Sequence, residues 1–132
     1  GEVAIDIRPY CGKNVIDLNC KGVIPVAVLT TDVFDAATID PATVVFADAT
    51  PVCSVLKDID RDGDKDMLFS FKTQDLNLDQ DSTEATLTGQ TTQGILIEGT
   101  DDVRIIPSKS KRCFFRWRPL SRLRKWSLYR PN

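Results

Sequence analysis

The sequence predicts an all-β fold, an antiparallel β-sandwich of about eight or nine short strands with one short helical turn and one acidic loop. Three observations predict it. Apolar and polar residues alternate in short runs, the period of a half-buried strand. Residues that favour turns, among them Gly22, Pro41, Gly63 and Gly94, separate those runs. The chain has 132 residues, enough to bury a core without outside help.

Val3, Ile5 and Ile7 alternate with Ala4, Asp6 and Arg8, and Pro9 ends this first strand. Residues 14–19 read as a second. Gly22 introduces Val23-Ile24-Pro25-Val26-Ala27-Val28-Leu29, a nearly continuous apolar run suited to a strand buried on both faces. Pro25 has no N–H to donate, so it is expected at a bulge or a sheet edge. Residues 30–36 carry N-capping side chains ahead of Val33 and Phe34, which predicts the helical turn, and Asp40-Pro41 stops it. Residues 43–46, 54–57 and 67–73 are the next strands, and the polar stretch 75–81 is a surface loop. Residues 84–90 and 95–98 form a hairpin around Thr91-Thr92-Gln93-Gly94, and 103–106 closes the series.

Between the strands at 54–57 and 67–73 lie Asp58, Asp60, Asp62, Asp64 and Asp66, a carboxylate at every second position, with Gly63 in sixth place. Charges packed that closely repel by about 1 kcal/mol per pair even in a water-like dielectric. A hard cation removes the repulsion, and calcium, with six to eight oxygen ligands and tolerant geometry, suits the loop better than magnesium. Asp58, Asp60 and Asp62 match positions one, three and five of the helix–loop–helix calcium motif, and Gly63 its sharp turn. The twelfth position, where that motif needs a bidentate Glu, is Phe69. Asp66 is therefore the expected last side-chain ligand and Asp64 a backbone-carbonyl ligand, in a Ca-binding loop that feeds a strand.

The formal charge of −2 conceals a division. Residues 1–106 hold all nineteen acids and eight basic residues, a formal −11, whereas residues 107–132 hold nine basic residues and no acid. The predicted organisation is a calcium-binding β-sandwich domain over 1–106 and a cationic, aromatic-rich C-terminal extension over 107–132. Lys109, Lys111, Arg112, Arg116, Arg118, Arg122, Arg124 and Lys125 lie there, the arginines interleaved with aromatic residues and leucine. They are candidate contacts for an anionic membrane surface or for nucleic acid. The simpler expectation is an appended extension that packs on the acidic domain.

No run approaches the eighteen or so apolar residues of a membrane span. No signal peptide is visible, as in a mature or excised fragment. The absence of histidine excludes Ser-His-Asp and Cys-His nucleophiles and His-containing zinc sites. Cys11, Cys20, Cys53 and Cys113 contain no CxxC pair. Cys11 and Cys20 bracket a short loop and strand that a disulfide closes in an oxidising compartment; otherwise both stay reduced. A Cys53–Cys113 bridge is the less favoured pairing.

Several segments resemble a widespread domain of secreted and surface-attached bacterial and archaeal proteins. Residues 3–9, Val-Ala-Ile-Asp-Ile-Arg-Pro, are similar to its opening IDIKPG motif, and residues 22–31 to its KGVIPVAILTT core. Phe34-Asp35-Ala36 and Ile39-Asp40-Pro41 resemble its FDA and VDP steps. The acidic loop with Met67-Leu68-Phe69 is similar to DVDGDGDLDLLLHF, residues 85–91 to ATLTGxT, and residues 97–105 to IxGxDxVRI. Tyr10-Cys11 replaces the usual Gly-Ser turn, Cys20 is unusual, and nothing after Pro107 resembles the family. The resemblance implies an accessory or C-terminal β-sandwich module, found near enzymes, repeats and anchoring segments, rather than a catalytic activity.

The expected function is thus a calcium-binding, non-catalytic, secreted or cell-surface module whose partners are the ion and either a surface glycan or other domains of its parent protein. Two alternatives belong to other classes. One is a glycosidase-like hydrolase using paired carboxylates, although metal ligands must be ionised while a general acid needs a raised pKa. The other is membrane or nucleic-acid binding through the tail.

Overall fold

The computed structural model describes residues 1–10 and 14–106. Among them run β1 (Ile5–Ile7), β2 (Val15–Asp17), β3 (Val23–Val28), β4 (Val45–Phe46), β5 (Cys53–Lys57), β6 (Asp66–Lys72), β7 (Glu84–Gln90), β8 (Leu96–Asp102) and β9 (Arg104–Ile106). One antiparallel layer has the order β1-β3-β6-β5, the other β4-β7-β8. Alternation selects what each layer buries. Val26, Val28, Phe69 and Phe71 of the first layer and Phe46 and Leu87 of the second are wholly buried in one core. The layers meet at Phe46 and Phe71, whose ring centroids lie 5.2 Å apart at 36°, and tilted aromatic pairs add about 1 kcal/mol to their area burial. The fold is a β-sandwich.

Three features depart from the sequence expectation. The pair β2–β9 is parallel, with Val15 opposite Arg104. Only Val103 separates β8 from β9, so no hairpin joins them and β9 pairs elsewhere. Second, Pro25 sits neither at a bulge nor in an edge strand, since β3 lies between β1 and β6. Its carbonyl accepts the Arg8 N–H at 2.8 Å, just past the end of β1. In a strand the N and O of one residue point to the same side, so the missing N–H faces a position where β1 has already turned away, with Arg8 at φ 51°.

The third departure concerns the helical turn. Among the described residues three 3-10 turns occur, at Ala36–Thr38, Pro41–Thr43 and Thr73–Asp75, and none covers 30–35. Asp35 caps the first by accepting from Ala37 N–H at 3.0 Å, and Asp40 caps the second by accepting from Ala42 N–H at 3.1 Å. Asp40-Pro41 therefore starts a turn instead of stopping one, because Asp at the cap and Pro at the first helical position both favour initiation.

The first residues lie along β8, where Val3 N–H donates to Glu98 O at 2.8 Å and Glu98 N–H to Gly1 O at 3.0 Å. Gly99 permits this approach: a Cβ there would stand 2.6 Å from Ile5 Cγ2 and 2.8 Å from Val3 O.

Two stability predictions follow from the packing. Thr73 Oγ1 is buried with no hydrogen-bond partner among the described residues. Replacing that hydroxyl with a methyl removes an uncompensated polar group, so Thr73→Val should raise stability by about 1 kcal/mol in denaturant unfolding; a loss of stability would contradict it. The Asp6 carboxyl is held above its ordinary range by burial and then by the negative charge of Asp101. The folded state therefore binds its proton more tightly than the unfolded chain, and Asp6 costs stability as pH rises from near 4 through the raised value. Melting temperatures measured across pH should show Asp6→Asn more stable than the parent at pH 7, with the advantage fading in acid.

Candidate metal site

The loop from 58 to 65 leaves β5 and returns as β6, with Lys57 and Asp66 facing each other across the two strands. Its bend is set locally. Asp58 Oδ1 accepts from Asp62 N–H at 3.2 Å and Oδ2 from Gly63 N–H at 3.0 Å, while Asp62 Oδ1 accepts from Asp64 N–H at 2.9 Å. Arg61 and Gly63 take positive φ, 60° and 96°, the second a conformation that glycine adopts without strain.

Carboxylate oxygens of Asp58, Asp60 and Asp66 all lie within 4.8 Å of one another. Two oxygens bound to one calcium, each about 2.3–2.6 Å from it, are at most about 5 Å apart, so these three fit a single coordination sphere. Each carboxylate oxygen has two lone pairs, and the single hydrogen bonds on Asp58 leave both its oxygens able to bind a cation. Asp62 and Asp64 lie outside this trio. Asp62 instead borders Asp60: the Asp60 carboxyl is pushed above its ordinary value by desolvation, by a hydrogen bond shared with the Asp62 side chain and by the charges of Asp66 and Asp62, while the Asp62 backbone N–H opposes them. Because Asp60 stays exposed, solvent screens these interactions.

Asp66 differs from the rest of the cluster in being wholly buried. Its Oδ1 accepts from Thr30 N–H at 2.8 Å, and its Oδ2 from Ile59 N–H at 2.8 Å and Asp60 N–H at 3.4 Å. Thr30 adds a second tie, its hydroxyl donating to Lys65 O at 2.7 Å and accepting from Ala36 N–H at 2.9 Å. Sequence inspection assigns Thr30 to a helix cap and misses this role, since nothing local links it to a residue 36 positions away.

Cys20 is disulfide-bonded, and Cys11, its predicted partner, lies outside the described residues. The Cys53–Cys113 pairing is not formed: Cys53 is a free, exposed thiol. The tail cations Lys109, Lys111, Arg112, Arg116, Arg118, Arg122, Arg124 and Lys125 also lie outside the described residues. Among those described, no helix is long and apolar enough to cross a membrane.

No protein-family model matches the chain, and no curated protein matches it. Among solved structures it is similar to a bacterial immunoglobulin-like domain from the M. primoryensis ice-binding adhesin. The identity is 19%, over 80% of this chain and 97% of that one, with a TM-score of 0.45.

The hydrogen bonds predict a division of labour between two aspartates. In Asp66→Asn the NH2 group replaces an acceptor and strands at least one buried backbone N–H, so unfolding in chelator should show a loss of roughly 1–3 kcal/mol. Asp60→Asn under the same conditions should change stability little. Equal effects of the two substitutions would contradict the assignment.

Proposed function

We propose that this domain is a calcium-stabilised, non-catalytic accessory module of a secreted or cell-surface protein. The observation that carries it is the meeting of Asp58, Asp60 and Asp66 oxygens within 4.8 Å, on a loop bent by its own carboxylate–amide hydrogen bonds. Calcium bound there neutralises the clustered charge and ties the loop to both strands that flank it, with Asp62 and the Asp64 carbonyl as further donors. The disulfide at Cys20 suits an oxidising compartment, and the sequence motifs of the secreted accessory domain agree with it. In this role the sandwich acts as a rigid unit among the other domains of its parent protein.

A ligand that binds only the folded state stabilises it by mass action, about 2.7 kcal/mol at a hundredfold excess over Kd. Calorimetric titration should show one calcium site, and saturating calcium should raise the melting temperature above that in chelator. Asp60→Asn and Asp62→Asn should weaken binding at least tenfold and lower the melting temperature only when calcium is present. Identical melting of the parent protein with calcium and with chelator would overturn the proposal.

A further inference from the structure

β5 is the margin of the four-stranded layer. β6 holds one side of it, and no strand among the described residues pairs with the other. All five of its residues are exposed. Leu56 stands opposite Met67, on the side of the sheet that faces the core, yet it is 42% exposed; Val55 on the opposite face is 47% exposed, and Val52 just before the strand 52%. The second layer does not extend over this edge. A strand margin with open backbone groups and apolar side chains on both faces accepts another strand unless something blunts it. Lys57, the sole charge within it, lies over the Tyr10 ring at 5.2 Å. Beyond Lys57 the apolar strip runs directly into the acidic loop.

We propose that this edge is a docking surface for the chain's own residues 107–132, which lie along β5 with their cations toward the acidic loop. Charge complementarity selects this occupant: the tail carries nine basic residues and no acid, against a formal −11 for 1–106. Its pattern suits an edge strand. If 112–118 is extended, Cys113, Phe115 and Trp117 would fall on one side and Arg112, Phe114, Arg116 and Arg118 on the other, and Pro119 would end the run. Length is sufficient, since twenty-six residues reach roughly 85 Å extended, against a radius of gyration of about 13 Å for a domain of this size. A second copy of the domain would bring like charge to the same edge.

The protein carries its own probe, because both tryptophans, Trp117 and Trp126, lie in the tail and residues 1–106 have none. Tryptophan emission of the full chain, recorded in chelator so that no metal takes part, should be blue-shifted and several-fold less quenched by acrylamide than that of a synthetic 107–132 peptide. High salt should remove part of this protection. Leu56→Lys and Val55→Lys each replace an apolar contact with a like charge, and in variants still folded by circular dichroism they should restore peptide-like quenching. Peptide-like emission from the parent protein overturns the proposal, as does protection that both folded variants retain. A parent dimer in sedimentation that Leu56→Lys dissociates, with the tryptophans quenchable throughout, overturns it too and assigns the edge to a second copy.

Discussion

The buried Asp66 carboxyl is the constraint on which the acidic loop and its surroundings depend. A carboxyl group removed from water costs several kcal/mol unless its oxygens find donors, and here they come from Thr30, Ile59 and Asp60. Those donors belong to two separate stretches, the segment after β3 and the start of the loop. One group at the head of β6 thus holds both against the sheet, and the candidate cation site is built onto a rigid strand end. Asp58 and Asp60 are exposed or half-exposed and face solvent from which an ion can arrive.

The rest of the sandwich is organised by how it treats its edges. The β8 margin is covered by the chain's first residues, an approach that Gly99 makes sterically feasible. β4 is only two residues long, too short to offer much of a template. β5 is left with neither device, and its exposed valines and leucine set it apart. Pro25 shows the same economy within a sheet, its lost N–H falling where the neighbouring strand has ended.

Much of this was legible in the sequence because period-two alternation is local: the run from 84 to 90 reads as a strand and is one, and each of the other predicted runs overlaps an observed strand, although the strand at 95–98 continues to Asp102. What the sequence concealed was non-local. The parallel direction of β2 against β9 depends on the route the chain takes between them, and alternation is the same for either direction. The bond from Ile7 N–H to Asp101 spans 94 residues and leaves no trace in either neighbourhood. Within the loop, spacing places five aspartates together, whereas the fold gathers oxygens of Asp58, Asp60 and Asp66 within 4.8 Å of one another, with Asp62 beside Asp60. Asp66 looked like another ligand; its burial reveals a structural role as well.

The parallel β2–β9 pair has a mechanical consequence. β2 lies toward the start of the chain and β9 at the end of the described domain, and Val15, Ile16 and Asp17 run beside Arg104, Ile105 and Ile106 in the same direction. Tension applied along the chain from opposite ends pulls such strands past each other lengthwise, so their cross-links resist together instead of parting one by one. A module strung between other domains would therefore meet a stretching force in its stiffer direction.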